Sequence, residues 1–251
     1  MSQRFEILAG RNPIHEALVA QRRRVYTVIC AEGADEKGTL AEILRLCRDR
    51  GIPIITAKRQ ELDRLSDALS HQGVLAEVSP YPYATLDDLL AAAARRGEAP
   101  FLLALDGLQD PQNVGTLLRT AEAVGVHGVI LLERRAVDIT PAVSRASAGA
   151  VEHLLVAKVT NLVQTFEALK RAGVWIVGVE DHPHAQDYRQ VDLNMPLALV
   201  VGSEGEGMRR LTAERCDLLV RLPMRGKIGS LNVAVAGSIV LYQAWAARQN
   251  A

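Results

Sequence analysis

A chain of 251 residues allows two ordinary domains, and its 49% hydrophobic content supports a sizeable core. Lys plus Arg equals Asp plus Glu at 29 each, so no global field draws the chain to nucleic acid, and any such contact must come from local patches. Aromatic residues make up only 4%, which leaves little for base-stacking platforms, and the three separated cysteines (Cys30, Cys47, Cys216) lack metal-ligand spacing and fit unpaired thiols in a reducing compartment. The opening residues are polar with no signal-type apolar core, and no run of about 18 apolar residues predicts a membrane span.

In chain order, Asn12-Pro13-Ile14 predicts a short helix with Asn12 as cap and Pro13 in its first turn. Arg22-Arg23-Arg24 would end it with the positive charge that suits a helix C-terminus. Strands are predicted at 25–31, 52–56 and 74–78, with helices at 40–50 (Ile43, Leu44 and Cys47 on one face) and 60–69. This β-α-β-α-β pattern predicts a small α/β sandwich over residues 1–78. Ser79-Pro80-Tyr81-Pro82-Tyr83 cannot continue a central strand or a helix, so residues 79–85 read as a linker.

The second domain, 86–251, opens with a helix at 86–96 capped by Thr85, with Asp87 and Asp88 in its first turn. Strands follow at 101–105, 129–132, 154–158, 174–179, 197–201 and 218–222. Helices alternate with them at 113–124, 141–148, 162–172 and 207–215, before a long apolar helix to about residue 247. Such alternation predicts a mainly parallel sheet covered on both faces, with ligands at the carboxyl ends of its strands.

Three post-strand loops concentrate unusual polar residues. The first is Asp106-Gly107-Leu108-Gln109-Asp110-Pro111-Gln112-Asn113-Val114-Gly115, leading to Arg119. Asn113 reads as a helix cap. Arg119 lies about 140° round the helix from Val114 and so points away from the core, with Glu122 available as an i+3 partner. The second loop is Gly202-Ser203-Glu204-Gly205-Glu206-Gly207. Its spacing is not that of the dinucleotide fingerprint, and its carboxylates suit ligand hydroxyls, cations or an arginine, or else the dipole of the following helix. The third runs from Leu222-Pro223-Met224 to Ser230-Leu231-Asn232-Val233, where Ser230 sits at the expected N-cap of the apolar helix. His182 and His184 lack a third metal ligand, and no G-x-S-x-G elbow supports acyl transfer.

Together and in this order, the three loops resemble the three motifs of the SpoU (TrmH-like) RNA ribose 2′-O-methyltransferases. The resemblance is tight over residues 99–251. Gly10-Arg11-Asn12-Pro13-Ile14-His15-Glu16-Ala17-Leu18 and His71-Gln72-Gly73-Val74 resemble the L30e-like RNA-binding domain fused to many members. The chain is most similar to members that methylate a guanosine ribose in the peptidyl-transferase P loop of 23S rRNA. Other rRNA or tRNA targets, or a non-catalytic ribosome assembly factor, are the competing readings.

The resemblance implies an α/β fold with a deep trefoil knot at the C-terminus, an exception to the rule against threading. It also implies a cytoplasmic homodimer formed through the C-terminal domain and S-adenosylmethionine as cofactor, contacted by Gly202, Leu222, Ile228 and Leu231, with no metal. Arg119 would act on the 2′-hydroxyl with Asn113, Glu204, Ser230 and Asn232. A guanidinium is effectively always protonated, so Arg119 could instead hold the target phosphate, oriented by Glu204. RNA contacts would fall to Arg11, Asn12, Arg22, Arg23, Arg24, Lys58 and Arg59.

Overall fold

The computed structural model describes residues 5–67 and 69–249. The polar opening residues, Ala68 within the expected 60–69 helix and the last two residues lie outside that description. The chain forms two compact units: residues 1–82 with 139–153, and residues 83–138 with 154–251.

The first unit holds β1 (Glu6–Ala9), α1 (Arg11–Ala20), β2 (Val25–Ala31), α2 (Thr39–Asp49), β3 (Ile54–Ala57), α3 (Arg59–Leu65) and β4 (Val74–Val78). Strand β1 is not among the expected elements; its four residues were too short to show a period. It pairs antiparallel with β4 in a sheet of order β1-β4-β2-β3, where β2 and β3 are parallel. Helix α1 starts earlier than expected. Gly10, at φ +99°, precedes it, and the Gln72 side-chain oxygen accepts the Arg11 N–H at 3.1 Å, so Asn12 lies inside the helix rather than capping it. Gln21 in the left-handed conformation ends α1, and the three arginines therefore fall beyond its last turn.

Helix α6 (Pro141–Ala146) and a 3₁₀ turn (Ala150–His153) also belong to this unit and pack on α1 and β1. The sequence pattern placed these residues with the second domain. Buried Val143 and Val151 and a polar cluster accompany that packing. Arg23, whose side chain is 0% exposed, lies between Glu6 and the equally enclosed Glu152, and Ser144 donates to Glu152. Tyr81 stacks under Arg23 and donates to the Val151 carbonyl.

The second unit holds α4 (Leu86–Arg96), β5 (Phe101–Leu105), α5 (Pro111–Ala123), β6 (Gly128–Leu132), β7 (Val156–Val159), α7 (Leu162–Arg171), β8 (Trp175–Val179), β9 (Gln186–Asp187), β10 (Leu197–Val201), α8 (Arg210–Glu214), β11 (Leu218–Arg221) and α9 (Val233–Gln249). Its seven strands run in the order β7-β6-β5-β10-β8-β11-β9, and every pairing is parallel. Alternation along the strands sends Leu102, Ala104, Ile130, Ala198 and Val200 to a core with Leu89 of α4 and Leu162, Phe166 and Leu169 of α7. On the sheet's other side α9 packs on α5 and β10. Gly237 permits that approach: a Cβ there would fall 2.7 Å from Leu117 and 3.0 Å from Val201. Thr85 caps α4 as the sequence predicts, and Asp88 completes a reciprocal capping box. No helix among the described residues is long and apolar enough to cross a membrane.

At the amino end of the sheet, buried His127 accepts the Phe101 N–H through Nδ1 at 3.0 Å, with Nε2 3.0 Å from Glu98. Burial lowers the His127 pKa below its ordinary 6.5, although Glu98 opposes the shift. A base with a depressed folded pKa resists protonation that the unfolded chain accepts, so its contribution is present at neutral pH and is lost as pH falls below about 6.5. Urea titrations from pH 7.5 to 5 should show falling stability. His127→Ala should flatten that slope and cost about 1–2 kcal/mol at neutral pH, because the Phe101 N–H loses its acceptor.

Candidate active site

The first loop leaves β5 and enters α5 through Asp110. Its carboxylate accepts the N–H groups of Gln112 (3.3 Å) and Asn113 (3.0 Å). Asp110 is thus the cap, and Asn113 sits in the first turn with its amide free for other work. Asn113 Nδ2 donates to Glu204 Oε2 at 2.8 Å. Asn232 Nδ2 donates both to Asn113 Oδ1 (2.9 Å) and to Glu204 Oε1 (3.3 Å). The Asn232 Oδ1 accepts the Ala234 and Val235 N–H groups at 3.0 and 3.3 Å. Asn232, not Ser230, is therefore the side chain that caps α9. Three loops far apart in sequence are fastened by one amide–carboxylate–amide triangle.

The arrangement corrects the expected pairing of Glu204 with Arg119, since both Glu204 oxygens are taken by amides. Asn113 and Arg119 are six residues apart, about 120° round a helix, so they face different directions. Arg119 is exposed and makes no hydrogen bond or ion pair among the described residues, Glu122 included. Glu204 and Glu206 also do not complement a helix dipole, because α8 begins only at Arg210.

The second loop closes on itself. Ser203 and Gly207 exchange backbone hydrogen bonds of 2.8 and 3.1 Å, with Gly205 and Gly207 at positive φ. Gly202 packs directly on the loop's far end: a Cβ there would lie 2.3 Å from the Gly207 carbonyl carbon and the Met208 nitrogen. Beside the loop lies a pocket of about 480 Å³, a size suited to a small-molecule ligand. Gly202, Leu222, Leu231, Ser230, Glu204 and Asn232 line it, as do Met224 and Arg221. Ile228 does not; it is 75% exposed. Arg119 is likewise outside the wall. Glu180 and Asp181 line the pocket and were not singled out from sequence. The only signal for them was position, directly after strand β8, at the edge where parallel sheets bind ligands.

The residues expected to meet RNA take several positions within the first unit. Asn12, Arg24, Lys58 and Arg59 are exposed, with Arg24 stacked on Tyr26. The Arg11 guanidinium is held by the Gln72, Lys37 and Asp35 carbonyls, and Arg22 donates to the Tyr81 hydroxyl and the Pro82 carbonyl. Arg23 is enclosed in its ion-pair cluster and cannot reach RNA from there; its burial was illegible because it stands in a run of three arginines. The His182 and His184 rings lie 5.3 Å apart, tilted by 47°, and the described residues contain no group of three or more His, Cys, Asp or Glu able to hold a metal.

An open parallel sheet with a pocket built from loops at its carboxyl edge is the arrangement by which α/β proteins bind a small ligand across several strand ends. Residues 100–242 match the model of the SpoU rRNA Methylase family, and residues 7–84 match that of RNA 2′-O ribose methyltransferase substrate binding. The chain is 46% identical over 248 residues to the putative TrmH family tRNA/rRNA methyltransferase YacO of Bacillus subtilis, covering 99% of this chain and 98% of that one. It is 41% identical to a Staphylococcus aureus protein of the same description, covering 97% of each. Among solved structures it resembles the SpoU methyltransferase AviRb from Streptomyces viridochromogenes in complex with AdoMet, with a TM-score of 0.79 and 27% identity over 99% of this chain and 92% of that one. The AdoMet-bound rRNA methyltransferase from Sinorhizobium meliloti gives 0.76 and 25% over 96% and 87%. The chain belongs to the SpoU/TrmH family of RNA 2′-O-methyltransferases, and its cofactor is S-adenosylmethionine.

The pocket fits that cofactor. Leu222, Met224 and Leu231 offer apolar walls, Gly202 and Gly207 let backbone approach closely, and the carboxylates of Asp181 and Glu204 outnumber the single lining arginine, Arg221, as suits a sulfonium. Gly202→Ala must displace the Gly207–Met208 backbone. Calorimetric titration should show cofactor affinity reduced at least about tenfold, the equivalent of one lost buried contact, with the circular dichroism spectrum unchanged.

Proposed function

We propose that the protein transfers a methyl group from S-adenosylmethionine to the ribose 2′-hydroxyl of a guanosine in 23S rRNA. The observation that carries the reading is the Asn113–Glu204–Asn232 triangle at the edge of the cofactor pocket, which joins the three loops into one site. Choice of rRNA is supported by coverage. The Sinorhizobium rRNA methyltransferase aligns over 96% of this chain, whereas the A. aeolicus TrmH/SpoU tRNA modifying enzyme aligns over only 61%, with a TM-score of 0.55. The relatives described as tRNA/rRNA methyltransferases keep a tRNA target as the second reading.

The bound cofactor supplies an electrophilic methyl carbon. The chain's task is to align the ribose oxygen for in-line displacement and to favour its deprotonated form, and alignment alone can supply several kcal/mol. Asn113 and Asn232 hold Glu204 and so set the loop edge against which the ribose lies, while the Ser230 hydroxyl faces the pocket as a donor or acceptor. Arg119, without a partner among the described residues and with a guanidinium ill suited to accept a proton, is assigned to the target's phosphate or developing alkoxide.

The same proposal includes a cytoplasmic homodimer and a knotted C-terminus. Helix α9 leaves Val235, Tyr242 and Trp245 exposed along one face, beside Thr116 and Thr120 of α5. A second copy covering this face would sit next to Arg119. The knot is supported by the sheet order, in which β10 lies between β5 and β8 before the chain returns to α9 against α5.

Arg119→Ala should reduce methyl transfer by about 100-fold or more, with cofactor affinity within about threefold of wild type, since a positioning contact is lost and the pocket wall is untouched. A single-turnover assay with a separate binding titration checks this. Tyr242→Arg should shift the protein from dimer to monomer in light scattering. Mapping 2′-O-methyl groups in a strain lacking the gene assigns the target. A missing methyl on a 23S guanosine supports the proposal, one in tRNA supports the second reading, and none at all supports an assembly factor.

A further inference from the structure

The loop carrying Glu204 is gripped at its exit by two carboxylates, one outside the three polar loops and one at the head of the first. Glu180, just past β8, accepts the Met208 N–H through Oε2 at 2.8 Å. Asp106, just past β5, accepts the next N–H, that of Arg209, through Oδ2 at 2.9 Å, and its Oδ1 accepts Arg209 Nε at 2.7 Å. Each carboxylate is itself fixed to a neighbouring strand. The Glu180 N–H donates to the Val220 carbonyl of β11 (3.0 Å), and the Asp106 N–H to the Val201 carbonyl of β10 (2.8 Å). The Asp106 side chain is 0% exposed. Two consecutive backbone donors are thus held from two different strand ends.

The grip reaches the pocket through glycines. Gly207, at φ +70°, lies against Glu180, and a Cβ there would come within 2.4 Å of Oε1. Gly207 in turn pairs with Ser203 and supports Gly202. Release of Met208 would therefore free the whole 202–207 turn, including Glu204 and its bonds to Asn113 and Asn232. Glu180 also lines the pocket directly.

We propose that Glu180 and Asp106 are positioning residues that clamp Met208 and Arg209 and so hold the 202–207 loop in its cofactor-binding form. The proposal rests on the reading of this pocket as the S-adenosylmethionine site. Glu180 acts as an acceptor for one N–H, so an amide oxygen can replace it, whereas deletion of the side chain cannot be compensated.

The test measures S-adenosylmethionine affinity of the full-length protein by calorimetry without RNA, together with KM and kcat for the cofactor at saturating RNA. Glu180→Ala should weaken binding by about tenfold, the effect of one unsatisfied buried donor, and raise KM by the same factor, with kcat near wild type because bound cofactor restores the loop. Glu180→Gln should restore affinity to within about threefold, since it keeps an acceptor. Gly207→Ala should weaken binding too, and its effect should be smaller when Glu180 is already alanine, because the clash with the carboxylate is gone. Wild-type binding by Glu180→Ala overturns the clamp. So does a Glu180→Gln variant as weak as the alanine, or strict additivity of Gly207→Ala and Glu180→Ala in the double variant. A wild-type protein that does not bind the cofactor overturns the pocket reading and the clamp together.

Discussion

The site depends on one hydrogen-bonded triangle. Asn113, Glu204 and Asn232 are 91, 28 and 119 residues apart by pairs, yet their side-chain atoms meet within 2.8 to 3.3 Å. Each corner belongs to a different strand-end loop, and each loop alone would cost conformational entropy to order. The triangle offsets that cost with charge-assisted bonds to a carboxylate, which are stronger than neutral ones. It also consumes the valences of its members. Asn232 uses both its amide donor and its carbonyl oxygen, the latter to cap α9, so the third loop and the last helix are set by one side chain.

The parallel sheet makes such a meeting possible. Strands β5, β8, β10 and β11 run in the same direction and lie side by side, so the loops that leave them emerge at one edge. The 202–207 loop is irregular, and it is also constrained. Glycines allow its close contacts, the Ser203–Gly207 pair closes it, and carboxylates from two neighbouring strand ends hold its exit. Irregular backbone at a binding site is held in place by groups that satisfy its donors.

Much of this was legible in the sequence. Strands such as Phe101–Leu105 and Leu197–Val201 are continuous apolar runs, which is what burial on both faces requires, and they fall where expected. The three polar loops were also visible, because glycines, prolines and carboxylates interrupt those runs. What was not legible was how side chains divide the work. Asp110 takes the cap role expected of Asn113, which frees Asn113 for Glu204, while Asn232 takes the cap expected of Ser230. Capping residues share the same chemistry, so local sequence cannot choose between neighbours one to three positions apart. The pairing of Glu204 with Arg119 failed because it ignored the helical phase between Asn113 and Arg119. Glu180 was overlooked because a single carboxylate after an apolar strand carries no spacing pattern, and Asp106, visible at the head of the first polar loop, carried no sign of its partner Arg209 about a hundred residues away. Residues 139–153 join the first unit through long-range contacts such as the buried Arg23–Glu152 pair, which no local pattern announces.

The central claim is that this site delivers a methyl group to a ribose oxygen. It is tested most directly by incubating the purified protein with S-adenosylmethionine carrying a labelled methyl group and with 23S rRNA lacking its own modifications, then digesting the product to nucleosides. The account predicts label in a single 2′-O-methylguanosine. Label on a base, or no transfer to RNA by a protein that binds the cofactor, would contradict it.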